Sequence, residues 1–234
     1  MKLWISQEGY YEMTPLGNGC AVALVVVALL VLAFLKGGRN EKEAAEAKKG
    51  SGFSVRQLVF SGVCLALAFV LSFVKIFHLP WGGSVTMLSM LFVSLVGYFY
   101  GPKAGFTAAF AYSLLQFVQG GGSYMLSPLQ LCMDYFFAFT ALGVSGFFAN
   151  KKNGLFLGYI CGILLRGLFH SIGGYLYWMD YMPEEFPQAL AVVYPIIYNY
   201  AYILLEGILT VAVLLLKPVE NGIRRVKEMA VSNT

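Results

Sequence analysis

Seven long stretches of apolar residues, separated by short polar segments, constrain the fold of this chain more than any other feature. They cover residues 17–35, 57–77, 85–100, 104–119, 128–149, 154–178 and 193–216. About 20 apolar helical residues cross a hydrocarbon core of about 30 Å, and only helices or closed barrels satisfy their backbone polar groups there. Most of the runs are long enough to cross, whereas the third and fourth are short, and tilted or partly re-entrant segments are the alternative there. Continuous apolar runs exclude the alternating pattern of a barrel strand. The sequence therefore predicts an all-α integral membrane protein.

The composition supports lipid as the solvent of this chain. Hydrophobic residues make up 59% of the 234 residues and charged residues only 12%, whereas soluble domains carry about a quarter charged residues. The net charge of +4 does not indicate nucleic-acid binding, because the basic residues gather in short loops between the apolar runs. Four cysteines lie singly inside apolar runs without metal-ligand spacing, so we expect packing residues and no metal or cofactor. They are Cys20, Cys64, Cys132 and Cys161.

Alternating charge in the loops predicts the orientation of the chain. Basic residues occur in segment 36–56, at Lys103, at Lys151 and Lys152, and in the tail after residue 216. The intervening loops 78–84 and 120–127 have no Lys or Arg, and the loop 179–192 carries only acidic charges. Positive loops stay in the cytoplasm. The N-terminus is then outside the cell and the C-terminus is in the cytoplasm.

The first apolar stretch is set apart from the others by a charged linker. We predict an extra N-terminal transmembrane helix in residues 1–36, a cytoplasmic linker in 37–56, a six-helix membrane domain in 57–216 and a basic cytoplasmic tail in 217–234. The alternative for the first stretch is a cleaved signal peptide. Its positive charges follow the apolar run and no small-residue cleavage site is visible, which favours a retained helix.

Ionisable side chains inside predicted spans are costly and therefore candidates for function. Four of them lie well inside spans: Asp134, Arg166, His170 and Glu206. One interpretation is an internal ion pair of Arg166 with Asp134 or Glu206 that only fastens helices together. The other is a binding pocket, because Arg166, His170, Gly174 and Trp178 recur every four residues and share one helix face.

Aromatic residues crowd the predicted outer ends of the spans. They include Trp81, Tyr124, Tyr135, Trp178, Tyr194, Tyr198 and Tyr202, with Asn199 among them. Singly, each is typical of the aromatic belt of a membrane protein. Together, beside the carboxylate of Asp134, they favour a flat organic cation, which aromatic faces attract by about 2 kcal/mol when desolvated. The chain has no phosphate-binding loop of the G-x-x-x-x-G-K-[ST] type, so ATP hydrolysis requires a partner.

Six segments resemble a known family, the thiamine-specific substrate-binding (S) components of energy-coupling factor (ECF) transporters, of the ThiT/YuaJ type. They are ALAFVLSF (66–73), LPWGGSVTMLSM (79–90), YGPKAGFTAAFAYSLLQF (100–117), SPLQLCMDYFFAFTALGVSGFF (127–148), HSIGGYLYWMDY (170–181) and YNYAYILLEGILT (198–210). The resemblance implies a six-helix S-component core, here with one extra N-terminal helix, that captures thiamine outside. It also implies a transmembrane coupling protein (T component) and two ATP-binding cassette ATPases as partners.

The resemblance carries over site residues one position at a time. The thiamine-binding residues that it implies are Trp81, Tyr124, Asp134, Tyr135, His170, Trp178, Tyr194 and Asn199. Gln130, Arg166 and Glu206 are expected to support these residues from behind. On the first core helix, Gly62 and Ala66 fit the small-x-x-x-small face by which such components dock to the coupling protein, a spacing that permits close helix approach.

Two other functions compete with thiamine binding. An S component for another vitamin or for a thiamine precursor would share the fold, because a fold does not fix its ligand. A neutral or anionic ligand would, however, make Asp134 a poor pocket residue. An intramembrane enzyme would need His170 and Asp134 within reach of a substrate proton. No nucleophile or metal cluster accompanies them in the sequence, so the sequence favours a non-enzymatic binding protein.

Overall fold

The computed structural model describes residues 4–7, 10–14, 16, 52–79, 83–121 and 125–232. Near the N-terminus, β1 (Trp4–Gln7) pairs with β2 (Tyr10–Met13) in an antiparallel hairpin. The predicted first span, at 17–35, and most of the charged linker lie outside the described residues.

Helix α1 (Val55–Ser72) begins at a capping box. The Ser54 hydroxyl accepts a hydrogen bond from the Gln57 backbone N–H, and the Gln57 side chain accepts one from the Ser54 N–H. Such reciprocal bonds satisfy two donors that a helix start leaves free. The helix ends five residues before the predicted end of its apolar run, and the following residues form strand β3 (Lys75–His78), which pairs antiparallel with β4 (Ser84–Thr86).

Helix α2 (Ser89–Tyr100) therefore begins after β4, four residues later than its apolar run suggested. It stops at Gly101, whose φ of +83° is a conformation that glycine adopts without a steric penalty. Pro102 then starts α3 (Pro102–Gln116), where a missing N–H is harmless. A wider π-helical turn (Phe117–Gly121) extends α3.

The last three apolar helices are irregular at one end. Helix α4 (Pro128–Phe148) contains a π-helical turn at Cys132–Phe137 and finishes as a 3-10 helix. Helix α5 (Gly154–Gly173) continues through another π-helical turn, Gly174–Trp178. Helix α6 (Tyr194–Leu214) follows a loop and a short 3-10 helix.

The helices pack around a buried core and expose apolar side chains to their surroundings. Ala68, Val96, Tyr112 and Leu142 are among the fully buried residues. Glycines let backbones approach closely: a Cβ added at Gly143 would lie 2.7 Å from the Phe106 backbone nitrogen. Outward-facing residues such as Val59 and Ile208 are more than half exposed, as a lipid-facing surface requires.

Four helical segments in the described part of the chain are long and apolar enough to cross a membrane: Val55–Ser72, Pro128–Phe148, Gly154–Tyr181 and Gln188–Leu214. The protein is thus a predominantly helical, multi-pass membrane protein.

The predicted basic tail folds as an amphipathic helix, α7 (Lys217–Val231), across one end of the bundle. Lys227 donates to the Ala149 carbonyl (2.8 Å) and lies 3.7 Å from the centroid of the Tyr98 ring. Partial burial there lowers the pKa of Lys227. Arg56 donates to the Ser232 hydroxyl (2.8 Å). These contacts place the start of α1 and the ends of α2 and α4 on one side of the bundle.

Candidate functional site

A cavity of about 450 Å³ opens at the end of the bundle opposite α7, between α4, α5 and α6. It is lined by Asp134, Tyr135, Phe139, His170, Gly174, Trp178, Tyr181, Tyr194, Pro195, Tyr198, Asn199 and Tyr202. Six of the eight residues that the resemblance implied for ligand binding are in this set. The other two, Trp81 and Tyr124, lie outside the described residues.

The carboxylate of Asp134 is the main polar group of the cavity. It lies in the π-helical turn of α4. Its Oδ2 accepts hydrogen bonds from Gln130 Nε2 (2.7 Å) and from the indole N–H of Trp178 (2.9 Å). Its Oδ1 faces His170 Nδ1 at 3.8 Å. Gln130 is 1% exposed, so it holds the carboxylate from the buried side.

Space for this carboxylate depends on a glycine of α5. A Cβ added at Gly173 would lie 2.7 Å from Asp134 Oδ1 and 3.3 Å from the Met133 Cβ. Contacts under 3.0 Å force a neighbour to move, because atoms packed at normal density have no room to absorb them. Gly173 therefore allows α4 and α5 to approach closely enough for Asp134 to reach the cavity.

Arg166 stands behind the cavity wall and does not pair with a carboxylate. Its guanidinium lies 4.4 Å from the centroid of the Phe139 ring, a cation–π contact, and its Nε donates to His170 Nε2 at 3.4 Å. Within the part of the chain that the structure describes, no ion pair shorter than 4.0 Å joins Arg166 to Asp134 or Glu206. The hypothesis of a purely structural ion pair is therefore not supported by the geometry.

The bond from Arg166 also sets the tautomer of His170. Since Nε2 accepts the Arg166 N–H, the ring proton of a neutral imidazole is assigned to Nδ1, the nitrogen that faces Asp134. The acidic wall of the cavity thus carries one carboxylate, two firm hydrogen-bond donors to it and one neutral imidazole.

Aromatic rings complete the walls. Tyr198 and Tyr202 meet edge to face with ring centroids 5.8 Å apart. The ring centroids of Tyr202 and His170 are 6.4 Å apart. Trp178 and Tyr181 lie 5.3 Å apart. Tyr194 is held by an edge-to-face contact with the buried Phe186 (4.8 Å). Several π-faces therefore surround one carboxylate.

Asn199 lines the cavity, and its side-chain amide is already hydrogen-bonded within the protein. Its Nδ2 donates to the carbonyls of Pro195 (2.8 Å) and His170 (3.2 Å), and its Oδ1 accepts from the Tyr202 hydroxyl (3.0 Å). An amide oxygen has two lone pairs. A ligand donor can therefore still reach Oδ1, in an orientation that the other bonds fix.

The sequence reasoning did not name three of the lining residues, Phe139, Tyr181 and Pro195. Phe139 follows Tyr135 by one helical turn and Tyr181 follows Trp178 by three residues, so helical spacing could have indicated both. Glu206 is not among the lining residues; its carboxylate faces the start of α2. In the described residues no group of three or more His, Cys, Asp or Glu side chains is arranged to hold a metal ion.

Chemically, this arrangement suits a flat cation. Aromatic faces attract positive charge, most strongly where water is excluded. Neutral donors do not compensate the charge of a carboxylate, whereas a neighbouring arginine does, so a carboxylate held by neutral donors attracts a cationic ligand more strongly.

Comparison with known proteins agrees with this chemistry. The family described as "Thiamine transporter protein (Thia_YuaJ)" matches residues 58–223 of the chain. The chain belongs to this family. A curated relative, the thiamine transporter ThiT of Bacillus subtilis (strain 168), is 30% identical over 175 residues, which are 68% of this chain and 88% of that protein.

A solved structure of ThiT from Listeria monocytogenes has the same fold as this thiamine transporter family member. The superposition has a TM-score of 0.54 and covers 69% of this chain and 94% of the Listeria chain, at 24% sequence identity. The family match begins at residue 58, after the predicted first span and its linker.

Proposed function

We propose that this chain is the high-affinity thiamine-binding subunit of an ATP-driven ECF vitamin uptake transporter. The observation that carries the proposal is the cavity itself. The carboxylate of Asp134, which forms no ion pair with Lys or Arg among the described residues, is surrounded by tyrosines and a tryptophan in a member of the thiamine transporter family. Membership in a transporter family implies binding and transport in place of catalysis.

The chemistry of thiamine matches both the carboxylate and the aromatic rings of the cavity. Its thiazolium ring carries a fixed positive charge that Asp134 would neutralise, and both of its rings are flat and would stack on aromatic faces. A cavity of about 450 Å³ lies within the range of small-ligand sites. Trp81 and Tyr124 are proposed as further ligand contacts on the strength of the resemblance alone.

The proposed partners are the T component and two ATPases of an ECF transporter. Its sequence has no phosphate-binding loop, so the proposed T component and two ATPases would supply the driving force. Gly62 and Ala66 are exposed on α1 and are the proposed docking contacts. Capture would occur outside, and release would follow reorientation within the complex.

Binding without nucleotide is the direct test of this function. Purified protein in detergent is expected to retain thiamine in a one-to-one ratio without ATP, measured by mass spectrometry of extracted small molecules and by titration calorimetry. In liposomes the chain alone is expected to give no ATP-driven accumulation, and addition of the T component and both ATPases should produce it. Co-purification of a different vitamin, or ATP-driven uptake by the chain alone, would contradict the proposal.

The orientation is proposed from the loop charges. Six core helices with the extra N-terminal helix would place the N-terminus outside and the C-terminus in the cytoplasm. The contacts of α7 support this orientation, because they bring Arg56 of the linker and Ala149, next to the basic loop 151–152, to the same end of the bundle as the basic tail. An N-terminal tag is expected to react with a membrane-impermeant reagent on intact cells, and a C-terminal tag only after permeabilisation. The reverse labelling would overturn this topology.

A further inference from the structure

A buried carboxylate outside the cavity lining, that of Glu206, is surrounded by hydrogen-bond donors from an earlier part of the chain. Glu206 lies on α6 and is 3% exposed. Its Oε2 accepts from the Thr86 hydroxyl at 2.5 Å, and its Oε1 accepts from the Ser89 hydroxyl (3.1 Å) and the Met90 backbone N–H (3.2 Å). A carboxylate inside a membrane span is costly unless it is partnered, and three donors stabilise this one.

Two of these donors belong to the start of α2, which has no cap of its own. The residue before this helix, Leu88, has a left-handed φ of 58° and makes no side-chain capping bond. Negative charge near a helix N-terminus is stabilised by the helix dipole and by its free N–H groups. Glu206 therefore caps α2 from another helix.

The third donor belongs to the β3–β4 hairpin. Thr86 is the last residue of β4, so its bond to Glu206 ties the hairpin to α6. One turn earlier on α6, Tyr202 lines the cavity. The ring of Tyr202 lies against Gly83 at the start of the same hairpin strand, so closely that a Cβ there would be 2.6 Å from Tyr202 Cδ1. Hairpin, cavity wall and buried carboxylate thus form one contiguous contact.

We propose that Glu206 is a positioning residue that holds the β3–β4 hairpin against α6 and thereby keeps Tyr202 in the cavity wall, which slows release of the ligand. Loss of the Thr86 bond would free the hairpin to move away from Tyr202 while Glu206 still caps α2. This inference rests on the proposed function, because it assigns Glu206 a role in retaining thiamine.

Two substitutions each remove one hydroxyl donor from the same carboxylate. Both also remove the 2.9 Å contact between the two hydroxyls, so the difference between the two variants reports on the bond from Thr86 to Glu206. Thr86→Val keeps a β-branched side chain in the strand but deletes the hairpin bond, and Ser89→Ala deletes one bond at the helix start. With full-length protein in detergent, preloaded with radiolabelled thiamine and chased with unlabelled thiamine, Thr86→Val is expected to raise the dissociation rate about tenfold. Ser89→Ala should change that rate by less than about twofold.

Two further variants are controls. Thr86→Ser restores the hydroxyl and should restore slow release. Thr210→Val removes a buried hydroxyl on the same helix, one that accepts from Tyr159 (2.9 Å), and should leave the dissociation rate unchanged. Should Thr86→Val not fold, Glu206→Gln takes its place, because it removes the charge that binds Thr86 and is expected to accelerate release in the same way.

The result that would overturn the inference is an equal rise in dissociation rate for Thr86→Val and Ser89→Ala, which indicates general destabilisation. Wild-type release from folded Thr86→Val, or from Glu206→Gln in its place, would overturn it as well. Failure of the wild-type protein to bind thiamine at all would instead refute the proposed function, so the two failures are distinguishable.

Discussion

Asp134→Asn is expected to weaken thiamine binding by about 2–5 kcal/mol, because it removes the charge that we propose faces the thiazolium while keeping the shape of the side chain. That loss corresponds to a Kd raised roughly thirty-fold to several-thousand-fold. The carboxylate has no arginine partner within 4.0 Å among the described residues; it accepts from Gln130 and Trp178, both neutral. Its charge is therefore available to a cationic ligand. Titration calorimetry on purified protein measures the change.

Two controls separate charge from shape in this experiment. An analogue of thiamine with an uncharged ring in place of thiazolium should lose much less affinity on Asp134→Asn, since only a hydrogen bond is disturbed. Asp180→Asn removes an exposed acid two residues from Trp178 and should leave thiamine affinity nearly unchanged. Equal weakening of charged and uncharged ligands by Asp134→Asn would mean that the carboxylate serves the fold and not the cation.

Gly62→Leu is expected to abolish uptake by the assembled transporter while thiamine affinity changes by less than about twofold. Small residues one turn apart let helices approach closely, and a leucine there would hold a partner helix away. The substitution should be harmless to the protein alone, because nothing lies within 4 Å of a Cβ added at Gly62. Ala66→Leu, on the same exposed face of α1, is expected to behave alike. Uptake into proteoliposomes and ligand binding are measured on the same preparations.

Ala212→Leu is the matched control for the docking face. Ala212 is an exposed small residue near the end of α6, on another helix, so the same increase in volume should affect neither uptake nor binding. If Gly62→Leu leaves uptake intact, or lowers affinity as much as uptake, α1 is not the docking surface.

The positions of the spans could be predicted from apolar runs, but their ends could not. The run 57–77 was predicted as one helix, yet Lys75–His78 is a strand that pairs with Ser84–Thr86. A short apolar segment does not distinguish helix from strand by itself. What decides is the pairing with Ser84–Thr86, which lies further along the chain. The tail carried an overlooked signal, since Ile223, Val226 and Ala230 recur at helical spacing and pack against the core.

The residues that line the cavity could be predicted better than the long-range contacts that hold them in place. Motif spacing named Asp134, His170 and Trp178, and the structure brings all three to one cavity. The cost of a buried charge also marked Glu206 as a candidate. Its partner Thr86 lies 120 positions earlier in the chain, however, and no local pattern connects residues so far apart. Long-range contacts of this kind depend on how the helices pack.

The π-helical turns have a consequence for how this chain is aligned and shortened. Such a turn bonds residue i to i+5, so it holds one residue more than an α-helical turn. Two of them, Cys132–Phe137 and Gly174–Trp178, contain Asp134 and Trp178. Deleting one residue within either turn would restore regular α-helix and leave the helix on both sides in nearly its original orientation, because the wider turn accommodates the additional residue. A deletion elsewhere in the helix would rotate everything on one side by about 100°. Single-residue gaps between homologous sequences are therefore expected to fall inside these turns, where a correct alignment has to admit them.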